Sequence, residues 1–137
     1  MGSLNLSELT KNKIIKNDGK MTALKVETIA NIGAYASLFA TVTPTYLFGP
    51  CATGVYDIPA AYSNVKAVFT NTAPVDAYRG AGRPEATYTI ERLVEKAAME
   101  LGIDRTEIRK KNFPTSFPFK QTLVHTVDSG DYIAGLD

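Results

Sequence analysis

The chain has 137 residues, 45% of them apolar and 21% charged, which suits one globular domain and is too short for two independent cores. Its 15 Lys and Arg nearly cancel 14 Asp and Glu, so the charge total predicts neither nucleic acid nor an anionic membrane as partner. One cysteine, Cys51, and one histidine, His125, exclude an internal disulfide and an all-Cys/His four-ligand zinc site. No apolar run has the length of a membrane span, and the polar start Met1 to Lys20 lacks the apolar stretch of a secretory signal. The expectation is a cytoplasmic protein.

In chain order, Met1-Gly2-Ser3 reads as a cloning remnant. The dipeptide Asp18-Gly19, between Ile14-Ile15 and Met21 to Val26, is a hairpin signal that predicts strands near 12–17 and 20–30. Leu24, Val26, Thr28 and Ala30 alternate with Lys25, Glu27 and Ile29, the pattern of a half-buried antiparallel strand. Residues 33–53 give no single reading: the composition of Gly33 to Ala40 allows a short helix, whereas Thr41-Val42-Thr43-Pro44 resists one by β-branching and proline. Val65 to Thr70 reads as a strand, followed by a loop from Asn71 to Arg83.

Ile90, Leu93, Val94, Ala97, Ala98 and Leu101 recur at helical spacing, predicting an amphipathic helix over 85–101 opened by Pro84 and closed by Gly102. A second helix begins at once. Asp104 is its N-cap with Glu107 three residues on, Ile103 and Ile108 stand at the staple positions, and Arg109, Lys110 and Lys111 favour the negative end of the dipole. The tail from Phe113, with Pro114, Pro118 and Asp128-Ser129-Gly130-Asp131, reads as irregular. Strands early and helices late predict an α+β fold, an antiparallel or mixed sheet with the two helices packed on one face.

Arg79-Gly80-Ala81-Gly82-Arg83-Pro84-Glu85 joins a predicted strand to the best helix. Glycines there let backbone approach a ligand, and unpaired helix amides attract anions. It is not a dinucleotide fingerprint, because Glu85 stands at the third glycine position and no Walker lysine follows. By mechanism alone it is either an anion- or cofactor-binding loop or an ordinary connector. Glu91 and Glu95, one turn apart and flanked by Arg92 and Lys96, read as a solvated helix face. Arg105, Arg109, Lys110 and Lys111 read as an exposed helix end, and without interleaved aromatics they do not suggest nucleic-acid binding. His125 reads as a surface histidine and Cys51 as a packed small hydrophobe with no adjacent base.

The run Thr70-Asn71-Thr72-Ala73-Pro74-Val75-Asp76-Ala77-Tyr78-Arg79-Gly80-Ala81-Gly82-Arg83-Pro84-Glu85-Ala86, with Ile90-Glu91-Arg92-Leu93 and Glu107 to Phe113, resembles the catalytic subunit of molybdenum hydroxylases. That family spans the xanthine dehydrogenase, aldehyde oxidase and aerobic carbon monoxide dehydrogenase large chains. The similarity extends through Asn31 to Tyr35, Gly54 to Pro59 and Asp128 to Tyr132. It implies that residues 18–137 are a fragment of a molybdopterin-binding domain, with 1–17 a tag or an N-terminal extension carrying the first strand.

The resemblance further implies that Tyr78, Arg79, Gly80, Ala81, Gly82 and Arg83 lie beside a molybdenum centre, Arg79 and Gly80 facing its ligands or the substrate. Copper-containing carbon monoxide dehydrogenases carry a copper-binding cysteine at the position matching Gly80, and xanthine dehydrogenases a purine-stacking aromatic residue at Ala81 and an arginine at Leu47. These departures speak against copper-dependent CO oxidation and against xanthine as substrate. A complete subunit of the family is several times longer and uses a glutamate base outside this stretch, so no complete catalytic set is expected here. The resemblance implies molybdopterin in the complete enzyme and none held by this chain alone. It implies as partners the remainder of the subunit and iron–sulfur and FAD components, and the competing expectation is a non-catalytic module derived from such a subunit.

Overall fold

The computed structural model describes residues 15–137. Strand β1 (Leu24–Asn31) pairs with β2 (Ala61–Val68), and helices α1 (Arg83–Leu101) and α2 (Arg105–Asn112) follow. A small antiparallel pair, β3 (Phe119–Lys120) and β4 (Thr126–Val127), completes an α+β architecture.

The Asp18-Gly19 turn forms, with Gly19 at φ +85° and its N–H bonded to Lys16 O at 2.9 Å. Among the described residues the predicted hairpin is represented by one antiparallel bridge, between Ile15 and Met21. Positions 12–14 of the predicted first strand lie outside the described residues.

The second predicted strand does not continue as the hairpin's return arm. It becomes β1 and pairs with β2 in parallel, Leu24 opposite Ala61 through Asn31 opposite Val68. Parallel pairing needs a crossover of about a dozen residues or more, which the stretch 32–60 provides. The alternation itself is as read: Leu24 and Val26 are buried while Lys25, Glu27 and Ile29 are exposed. The third predicted strand, over 65–70, begins four positions earlier, at Ala61, and ends at Val68.

Gly33 to Ala40 is not helical. Helical turns instead occupy Thr43–Leu47 and Gly49–Cys51, each with proline in its first turn. At that position the missing proline N–H is an orphan donor in any case, so Pro44 opens the turn that it was expected to forbid. The Thr43–Leu47 turn touches β2 and the Gly49–Cys51 turn touches both β2 and α1, so α1 packs on the strand pair through this intervening layer.

Helix α1 buries Ala86, Ile90, Leu93, Val94, Ala97 and Ala98, and each large aliphatic side chain removed from water contributes about 1.5–3 kcal/mol. Gly102 ends it at φ +65°, donating to Ala98 O. The Asp104 carboxylate accepts from Thr106 N and Glu107 N at 2.7 and 3.2 Å, and both bonds hold its pKa below the ordinary carboxylate value. Leu24, Val26, Phe48, Tyr56, Ile58, Ile90, Val94 and Ile108 share one core.

Asn112 is fully buried and ties the start of the described chain to the end of α2. Its Oδ1 accepts from Met21 N at 2.8 Å, and its Nδ2 donates to Gly19 O and Ile108 O at 2.8 and 2.7 Å. The tail is less irregular than expected. The β3–β4 pair docks on the preceding layer through Gln121 Nε2 to Gly54 O and Thr122 Oγ1 to Ile58 O, and Tyr132 packs between Phe113 and Phe117.

Candidate functional site

The segment 71–80 is exposed throughout and is held at its two ends. Upstream, Thr70 N donates to Gly33 O and Ala34 N to Thr72 O, both at 3.0 Å. Downstream, Arg79 to Gly82 form a turn, with Arg83 N donating to Gly80 O at 3.0 Å. Gly80 and Gly82 take φ +76° and +86°, a region that a Cβ disfavours. Their surroundings differ. A Cβ on Gly80 would meet nothing within 4 Å, whereas one on Gly82 would lie 2.5 Å from Leu47 C and 2.7 Å from Phe48 N.

Gly82 therefore lets the loop close directly onto the Thr43–Leu47 turn. The contact brings Leu47 against the loop, although the two are far apart in sequence. Tyr78, Arg79, Gly80 and Arg83 are exposed, Ala81 is half-buried and Gly82 is buried. The Arg79 guanidinium lies 5.9 Å from the centroid of the Tyr78 ring, an arrangement that holds cation and ring together. Among the described residues no carboxylate forms an ion pair with Arg79 or Arg83. The loop thus presents open backbone at Gly80 between two guanidiniums that form no ion pair among the described residues, geometry suited to receiving an anionic, hydrogen-bonding group.

The Glu91 and Glu95 pair is not the simple solvated face that its spacing suggested. Arg109, with only 15% of its side chain exposed, reaches back from α2 to Glu91 Oε2 with Nε at 3.0 Å and Nη2 at 2.9 Å. The same Nη2 lies 3.4 Å from Glu95, and Tyr56 donates to Glu91 Oε1 at 2.6 Å. Burial, then the bond to the Glu91 carboxylate, push the Tyr56 pKa well above its usual value. Burial alone would lower the Arg109 pKa, and the Glu91 bond and charge outweigh it. One guanidinium thus offsets the repulsion between the two carboxylates, and the network clamps α1 to α2 and Tyr56.

The basic cluster is correspondingly engaged. Lys110 pairs with Asp137 at 2.6 Å, Arg105 with Glu95 at 3.4 Å, and Lys111 Nζ donates to Asp18 O at 2.5 Å. Cys51 does have an adjacent base, since His125 Nε2 lies 3.6 Å from its Sγ. That pair stands without a third donor: among the described residues no group of three or more His, Cys, Asp or Glu could hold a metal. Sequence spacing hides these partnerships because each joins distant segments.

Among the described residues no helix is long and apolar enough to cross a membrane. Residues 12–113 match the family model described as molybdopterin cofactor-binding domain. The carbon monoxide dehydrogenase large chain of Hydrogenophaga pseudoflava is 44% identical over 124 residues, 87% of this chain and 15% of that one. The 6-hydroxypseudooxynicotine dehydrogenase complex subunit gamma of Paenarthrobacter nicotinovorans is 36% identical, across 85% of this chain and 15% of its own length. Quinoline 2-oxidoreductase from Pseudomonas putida 86 superposes with a TM-score of 0.80 at 34% identity, covering 88% of this chain and 16% of that structure. The chain thus spans about 15% of the length of the curated relatives it matches. It belongs to the molybdopterin cofactor-binding domain family, and it corresponds to one segment of the catalytic subunit of molybdenum hydroxylases.

Proposed function

We propose that residues 78–83 form one wall of the cofactor pocket of a molybdopterin-dependent hydroxylase. The complete subunit would oxidise a C–H bond of an aldehyde or nitrogen heterocycle, with oxygen taken from water and the two electrons passed to iron–sulfur and flavin partners. The observation that carries this reading is the turn itself: an exposed glycine with open space beside it, flanked by two guanidiniums that form no ion pair among the described residues. These residues fit an anionic cofactor. Arg79, Arg83 and the backbone at Gly80 would hold it, while the bound group would supply the two-electron chemistry.

Gly80 offers no thiol for copper, so CO oxidation by a copper–molybdenum pair does not belong to this reading despite the similarity to carbon monoxide dehydrogenase large chains. Leu47, packed against Gly82, gives that side of the loop an aliphatic neighbour and no cation to steady a polar purine. A second reading, an autonomous non-catalytic module, is favoured by the core that runs from Ile15 to Leu136 within this one stretch.

Metal analysis separates the two. Residues 18–137 grafted in place of the matched stretch of the Hydrogenophaga pseudoflava large chain are expected to yield a subunit that retains molybdenum, and the 137-residue chain alone is expected to purify without it. A folded graft without molybdenum would favour the module.

A further inference from the structure

We propose that the corner Asn31–Gly33 is a positioning element for the 78–83 loop, an inference that rests on reading that loop as the one facing the cofactor. Asn31 acts as a clasp: its Oδ1 accepts from Gly33 N at 2.8 Å and from Thr70 Oγ1 at 2.6 Å, while its Nδ2 donates to Thr72 Oγ1 at 3.1 Å. Thr70 Oγ1 and Thr72 Oγ1 are 2.9 Å apart, which closes a ring of hydroxyl and amide groups around the start of the loop. Gly33, at φ +82°, lets the chain cross directly above it. A Cβ there would lie 2.4 Å from Pro74 Cα and 2.6 Å from Ala73 O, so no side chain fits without moving the backbone of the loop.

Beyond Pro74 every residue up to Gly80 is exposed. Among the described residues the only side-chain bond to backbone within 75–79 is local, Asp76 Oδ1 accepting from Ala77 N at 2.8 Å. With no burial along its length, the path of 75–79 is set by its ends. Gly82 against Leu47 and Phe48 fixes one end, and the Asn31–Gly33 corner fixes the other. Where Tyr78 and Arg79 stand therefore depends on residues at the end of β1, which carry no cofactor chemistry of their own.

Limited trypsin digestion of the intact chain tests the coupling. Cleavage after Arg79 reports on the loop, cleavage after Arg92 within α1 reports on wider unfolding, and Arg83 is protected from the protease by Pro84. Asn31→Ala, Thr72→Val and Gly33→Ala are each expected to speed cleavage after Arg79 by about tenfold while the Arg92 site is unchanged. Asn31→Asp keeps the oxygen that serves Gly33 N and Thr70, and should stay close to the parent rate. Should Gly33→Ala fail to fold, the Asn31 and Thr72 variants carry the test. An unchanged rate after Arg79, or Arg79 and Arg92 rates rising together, would overturn the proposal. Neither result bears on whether the loop faces the cofactor, which metal and spectroscopic measurements decide separately.

Discussion

Two neighbouring glycines do different work, and the difference is measurable. At Gly80 an added methyl enters open space and bears only the left-handed backbone penalty, about 1–2 kcal/mol. At Gly82 the same methyl also collides with the Leu47 and Phe48 backbone. Gly82→Ala is therefore expected to lose more stability than Gly80→Ala in denaturant melts, and equal losses would remove the loop-to-turn contact from the account. That both glycines sit at a sharp turn was legible from Arg79-Gly80-Ala81-Gly82. What presses on Gly82 was not legible from local pattern, because Leu47 reaches it only through the tertiary fold; the family resemblance alone associated Leu47 with this loop.

Tyr56 supplies a second test at this scale. Its proton is held more tightly in the folded chain than in the unfolded one, through burial and the Glu91 bond. Stability from this group is thus complete below the ordinary tyrosine value of 10.0 and declines as pH rises above it. Tyr56→Phe should lower the melting temperature at neutral pH and flatten the alkaline fall. An alkaline limb of unchanged slope in the variant would show that another group governs it.

Among the elements, α1 was the most legible because its apolar positions repeat at helical spacing and proline and glycine mark its ends. Five of its six predicted core residues are buried and Leu101 is half-buried. Leu93→Ala should cost about 2–5 kcal/mol in equilibrium unfolding, and a loss below about 0.5 kcal/mol would mean that this face is not core. The capped start of α2 was equally readable from Asp104 and Glu107. The strands were readable as strands but not in their pairing. Alternation in β1 fixes which side chains face inward, whereas its partner is chosen by the crossover through 32–60, whose short helical turns carry weak local signals. The Glu91–Arg109 clamp escaped for a related reason: a spacing of four on one helix reveals repulsion, and the cation that relieves it comes from the next helix.

For the molecule as a whole, the α+β class followed from the order of elements, and membership of the molybdopterin cofactor-binding domain family followed from motifs spread along residues 18–137. The candidate site was legible as a loop and not as a structure. Its two supports, Asn31–Gly33 upstream and Leu47–Phe48 beneath Gly82, lie far from it in sequence and have no helical or strand periodicity to betray them. The central claim is that Gly80 stands beside the molybdenum centre of the complete subunit. The most direct measurement is the Mo(V) electron paramagnetic resonance signal of the grafted large chain, compared between Gly80→Ala and Gly102→Ala. Both positions have positive φ and open space around the missing Cβ, but Gly102 lies at the opposite end of α1. The account predicts that Gly80→Ala alters the Mo(V) signal while Gly102→Ala leaves it as in the parent graft; a signal indifferent to both substitutions, or altered equally by both, would contradict it.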